Sequence, residues 1–187
     1  MMAVITETVG DCELAHDGLL YQPANAFSSL AYLLVAVVLL LILRSADRSA
    51  TAWAYAAVLA LVGMSSADFH GPRSAVAQFS HDFMVVVLLA FAVLVPVIRL
   101  LRRTQALPGL SAPRIWAVAA LLAVALVTWF LGRTDSTLCS PESLLQWHAL
   151  WHTLSALTFG VWGLVLFARS PAESSRQAAS DQTEVLQ

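Results

Sequence analysis

The chain contains no lysine; all ten of its basic residues are arginines. A lysine Schiff base, including a retinal-type linkage, is therefore excluded. Charge of either sign is scarce: 12% of residues are charged and the net charge is −2, so the basic surface that nucleic acid demands is missing. No nucleic-acid partner is implied. Two cysteines, Cys12 and Cys139, are too few for a disulfide framework or a four-cysteine cluster. What dominates is apolar, 59% of 187 residues, above the roughly 45–50% of an ordinary soluble domain. The fold class expected is an all-α integral membrane helical bundle.

A hydrocarbon core about 30 Å thick takes roughly 20 apolar residues in a helix. Five stretches qualify, near 26–43, 52–70, 82–101, 114–131 and 144–167. Residues 1–169 read as one transmembrane helical domain with a short extracytoplasmic N-terminal segment. Residues 170–187, rich in Ser, Gln, Ala and acid, read as a disordered cytoplasmic tail. The first 25 residues carry Glu7, Asp11, Glu13 and Asp17 with no basic residue, so no secretory cleavage is expected there.

Five crossings put the N-terminus and the 71–81 and 132–143 loops on one side, and the 44–51 and 102–113 loops and the C-terminus on the other. The second side gathers Arg44, Arg48, Arg99, Arg102, Arg103, Arg114, Arg169 and Arg176; the first has Arg73 and Arg133. Eight arginines against two make the N-terminus extracytoplasmic and the C-terminus cytoplasmic, as in a protein of the bacterial inner membrane. All five histidines, His16, His70, His81, His148 and His152, then fall at or near the outer side.

The second span ends in Ser66 and His70, one helical turn apart on one face, above Gly63 and before Gly71-Pro72. The fifth opens with His148 and His152, again four apart, a spacing that lets two imidazoles chelate one metal. Each pair also has an ordinary use, Ser66 bonding back to its own helix and the histidines resting at the interface beside tryptophans. A polar pair inside a membrane helix needs a partner, however, and His70 can supply it. Three histidines leave the fourth tetrahedral position of a Zn2+ open, where a bound water is acidified for attack on a polarised carbonyl. Asp82, opening the third span after Ser80 and His81, is the candidate proton carrier, although Ser80 as N-cap and an acid in the first turn would equally serve the helix itself. Asp68 points away from the Ser66–His70 face.

The set Ser66-xxx-His70, Asp82 and His148-xxx-His152 resembles the alkaline ceramidase family, and more broadly the membrane hydrolases that include adiponectin-receptor-like proteins. Asp11-Cys12-Glu13 and Asn25-Ala26-Phe27-Ser28-Ser29 look like the segments preceding the first helix in ceramidases. The resemblance implies zinc at His70, His148 and His152, proton transfer by Asp82, and oxyanion support by Ser66. It also implies Ca2+ at Asp11, Glu13 and Asn25, with Gln22 where a glutamate is expected. Members usually have seven helices against five here, and Phe83 stands where a second acid follows the aspartate. Removing two crossings leaves the last histidine pair on the same side.

The function expected is zinc-dependent hydrolysis of an amide bond in a lipid drawn from the bilayer, with ceramide or another N-acyl lipid as the substrate the resemblance suggests. Two alternatives stay open: a non-enzymatic receptor or scaffold with structural zinc, and a bis-histidine haem protein. Cys12 and Cys139 both fall on the outer side, where an oxidising compartment permits a disulfide; otherwise they are two small apolar residues. The natural lipid and the oligomeric state are left open.

Overall fold

The structure, a computed structural model, describes residues 10–46, 49–102 and 110–167. The tail expected over 170–187 and Arg48, Arg103, Arg169 and Arg176 of the charge pattern lie outside the described residues. Among those described there are five helices and no strand: α1 (Pro23–Ala46), α2 (Ala50–His70), α3 (Ala77–Arg102), α4 (Ala112–Leu131) and α5 (Trp147–Phe167). All five are long and apolar enough to cross a membrane. The protein is a helical membrane bundle.

Helix ends follow local chemistry. Pro23 suits the first position of α1, where a missing N–H costs nothing. The next two amides, of Ala24 and Asn25, donate to Glu13 Oε1 and Oε2 at 2.6 and 2.8 Å. The cap of α1 thus comes from a residue that precedes the helix by ten positions. Ser49 caps α2 through its Oγ, 3.2 Å from the Ala52 amide. Gly71 and Gly132 follow α2 and α4.

Of the boundaries that differ from expectation, two bear on the site. α3 starts at Ala77, five residues before the apolar stretch, so Ser80 and Asp82 lie within the helix and are not its cap. Ser80 Oγ donates instead to the Ala77 carbonyl at 3.0 Å. Hydropathy marks the hydrocarbon, whereas a helix continues into the polar interface as long as its backbone bonds are made. α5 starts at Trp147, with Leu144 and Leu145 exposed before it. The buried Gln146 side chain closes that turn by donating to the carbonyls of Ser140, Pro141 and Ser143 at 2.6–3.2 Å.

α1 packs on α2 and α5, α3 leans on α2, and α4 leans on α5. α2 and α5 are half-buried, while α3 and α4 turn most of their surface outward. The apolar core joins Leu39, Leu43, Tyr55, Leu59, Val62 and Leu166. Tyr55 Oη donates to the Phe159 carbonyl at 2.7 Å and Trp162 Nε1 to the Ala92 carbonyl at 3.0 Å, so these polar tips stay satisfied within the bundle.

Residues 10–22 form a strap across one end of the bundle. The Cys12–Cys139 disulfide ties it to the loop before α5 across 127 positions. Cys12 N–H donates to the Gly132 carbonyl at 2.8 Å, and Asp11 pairs as a β-bridge with Arg133. At its other end the amides of Tyr21 and Gln22 donate to the carbonyls of Gly71 and His70 at 3.1 and 2.7 Å.

Candidate metal centre

Two glycines bring the site-bearing helices together. A Cβ on Gly63 would stand 3.0 Å from both the Ser29 carbonyl oxygen and Tyr32 Cβ, so α1 and α2 approach there as closely as backbones allow. A Cβ on Gly132 would meet His148 N at 2.6 Å; only glycine lets the end of α4 rest on the first turn of α5. One and two turns above Gly63 lie Ser66 and His70, facing His148 and His152 of α5.

One ring nitrogen from each of His70, His148 and His152 lies within 4.8 Å of the others. The ring centroids are 4.6–5.2 Å apart, and the three residues are 1%, 7% and 2% exposed. The sequence separates the first from the second by 78 positions, and the bundle closes that gap. Three buried imidazoles at this spacing could hold a metal ion. His70 Nε2 is buried and has no hydrogen-bond partner. A bare nitrogen lone pair so placed is costly unless something binds it, so the residues present fit a cation there.

His152 Nδ1 lies 3.1 Å from the Asn25 carbonyl and 3.0 and 3.3 Å from Ser28 and Ser29 Oγ. Its Nε2 faces Ser66 Oγ at 3.5 Å. Ser29 gives its only hydroxyl proton to the Asn25 carbonyl at 2.7 Å, so in the 2.9 Å contact between Ser29 and Ser66 it is Ser66 that donates. Ser66 must therefore swing its proton away from Ser29 before it can serve any bound oxygen. His70 Nδ1 meets Gln22 Oε1 at 2.7 Å. Asp11 Oδ1 stands 3.1 Å from His148 Nδ1, off the line of a well-formed hydrogen bond, and Asp11 Oδ2 is 4.0 Å from His70 Nδ1. Burial pushes the Asp11 carboxyl up to about 7, the Arg133 guanidinium pulls it down, and Glu13 adds a further upward push.

The other residues named from the sequence sit as follows. Asp82 is 61% exposed; it accepts from Gln78 Nε2 at 2.7 Å and lies 2.9 Å from His81 Nδ1. It approaches the trio only through His81, whose ring centroid is 6.3 Å from that of His70. The carboxylate in direct contact with the histidines is that of Asp11. Asp68 accepts from Ser74 N and Oγ at 3.2 and 2.5 Å, closing the α2–α3 turn away from the trio.

The three residues of the calcium set have separate uses: Asp11 faces histidines, both oxygens of Glu13 cap α1, and the Asn25 carbonyl faces His152. Burial raises the Glu13 carboxyl and the Ala24 and Asn25 amides pull it back. The buried Asn25 side-chain oxygen and nitrogen have no partner.

Reading the sequence for ligands passes over Gln22, Ser28 and Ser29 as parts of the site. Their signal is three polar residues in or just before the first turns of an otherwise apolar α1, a position where lipid would not tolerate them unpaired. Comparison of the chain with protein-family models, curated proteins and solved structures finds no match in any of the three.

Proposed function

We propose that this protein is a membrane hydrolase of alkaline-ceramidase type, with Zn2+ held by His70, His148 and His152 and an amide bond of an N-acyl lipid as substrate. The observation that carries the reading is the buried trio itself, with an unpartnered His70 Nε2 and a serine hydroxyl 3.5 Å from His152 Nε2. An all-imidazole set suits zinc better than the oxygen-seeking Mg2+ or Ca2+. When bound, the ion supplies Lewis acidity for a carbonyl and a lowered pKa for water.

Around it each side chain has a defined task. The trio stays neutral to bind, the strap keeps bulk water off one side, and Ser66 offers its hydroxyl to the substrate oxygen after releasing Ser29. Asp82 accepts the proton with His81 between it and His70. The substrate's acyl chain lies along the outward surfaces of α3 and α4, which are apolar along most of their length.

Sidedness follows from the arginine count and gains support from the disulfide, which belongs in an oxidising compartment. The strap end is then extracytoplasmic and the C-terminus cytoplasmic, as in a bacterial inner membrane. The seven-helix ancestry is likewise part of this reading.

Release of fatty acid from a ceramide in proteoliposomes tests it. Wild type should release it, His70→Ala should not, and Asp82→Asn should lose about 10²–10⁴-fold in rate while keeping its zinc. The burial of all three ligands also favours a receptor or scaffold with structural zinc, and zinc-loaded protein without turnover on any N-acyl lipid would select that. A haem between His148 and His152 has no support from rings only 4.6 Å apart on one helix face.

A further inference from the structure

We propose that Gln22, the Asn25 carbonyl and Asp11 hold all three site imidazoles in the Nδ1–H form, so that every Nε2 lone pair is turned toward one point. The inference deepens the metal reading above, and in it Gln22 and Asp11 are positioning residues.

The chain of hydrogen bonds fixes the protons one after another. A backbone carbonyl can only accept, so the Glu13 carbonyl, 3.1 Å from the Gln22 amide nitrogen, settles which end of that amide is NH2. Gln22 Oε1 is then the atom 2.7 Å from His70 Nδ1, and an amide oxygen cannot donate. His70 therefore carries its proton on Nδ1. The nitrogen left with a lone pair is Nε2, the same atom that is buried and unpartnered. His152 follows by the same logic, because its Nδ1 faces the Asn25 carbonyl at 3.1 Å. At His148 the acceptor nearest Nδ1 is Asp11 Oδ1, at 3.1 Å.

All three acceptors come from residues 11–25, a single stretch of chain, although the ligands they serve come from α2 and α5. That stretch is tied down on both sides of the site. Cys12, next to Asp11, is bonded to Cys139, and Gln22 grips His70 twice, by its amide N–H on the His70 carbonyl and by its side chain on the ring. Groups that fix the tautomer and tilt of a metal-binding histidine typically govern metal affinity by about 10–100-fold.

The test uses the full-length protein in detergent micelles. Nitrogen-15 spectra of histidine-labelled, metal-free wild type should show Nδ1–H, with unprotonated Nε2, for His70 and His152. In parallel, Co2+ affinity should fall about 10–100-fold in Gln22→Met, which removes the acceptor at similar size, and stay near wild type in Gln22→Glu, which keeps one. Asp11→Leu, which removes the acceptor beside His148, should lower Co2+ affinity as Gln22→Met does, and an unchanged affinity would overturn the role given to Asp11.

Nε2–H on His70 or His152, or unchanged Co2+ affinity in Gln22→Met, would overturn the proposal. Should wild type take up no Co2+, the metal reading fails by itself, and the nitrogen spectrum still decides the tautomers. The same spectrum decides if Gln22→Met does not fold.

Discussion

The two ends of the α1–α2–α5 core are built on opposite rules. Away from the strap, the interior is Leu39, Leu43, Tyr55, Leu166 and Phe167, and the polar atoms described there, such as Tyr55 Oη, are satisfied by a carbonyl within the bundle. Arg99 behaves similarly, donating to the Leu166 carbonyl at 2.6 Å. At the strap end, the interior is Asn25, Ser29, Ser66, His70, His148 and His152, all buried. Among the described residues, the four buried side-chain atoms without hydrogen-bond partners, on Asn25, His70 and His148, all lie there. Packing alone explains the first end. The second is costly as it stands and becomes reasonable once a ligand is allowed for, because partly satisfied buried polar networks are otherwise worse than apolar ones.

Substitutions at each end should separate the two rules. The largest effect is expected from His152→Ala, which removes one imidazole of the trio, the ring that Asn25, Ser28 and Ser29 surround. Metal affinity should fall by more than the roughly 100-fold that marks an outer contact, read by competition with a chelator. Leu43→Ala at the far end, where the side chain is 2% exposed, should cost about 2–5 kcal/mol in a detergent unfolding assay and leave metal content unchanged.

Cys12→Ser with Cys139→Ser opens a 127-residue closure; stability should drop by about 2–5 kcal/mol, and metal affinity with it, since the strap carries Asp11. Gly132→Ala forces a methyl against the His148 backbone. About 1–3 kcal/mol of strain is expected, with weakened metal binding that the same change at an exposed helix site would not cause. Smallest is Ser29→Ala, about 0.5–1.5 kcal/mol, seen as a lowered melting temperature. A metal-binding loss from Leu43→Ala as large as that from His152→Ala would erase the distinction between the ends.

Much of this was legible in the sequence. Long apolar runs are read directly as spans, and a four-residue spacing puts Ser66 with His70 and His148 with His152 on single faces, so five helices and two polar pairs follow from local periodicity, while only the bundle brings His70 to the second pair. Asp82 shows where that reasoning stops. Its place in the chain puts it on the side of the trio, but α3 begins earlier than its hydrophobicity, and the carboxylate meets Gln78 and His81, so it reaches the trio through His81. Asp11 and Gln22 go the other way: in the chain Asp11 belongs to the calcium set and Gln22 stands where that set expects a glutamate, and the strap, pinned at Cys139 and at the Gly71–His70 end of α2, lays both over the histidines. Contacts made across 48 positions, as between Gln22 and His70, or across 127, as between the cysteines, leave no periodic trace. Glu13 is a similar case, since nothing in its surroundings announces that it caps a helix ten residues on.

Elemental analysis of purified protein, beside His70→Ala prepared in the same way, bears most directly on whether these imidazoles form one centre. Close to one zinc per chain in wild type, and almost none in a variant that keeps its helical circular dichroism, is the expected result. Folded wild type without bound metal after zinc supplementation, or a variant that retains it in full, would contradict the metal centre and leave a membrane bundle with an unexplained polar end.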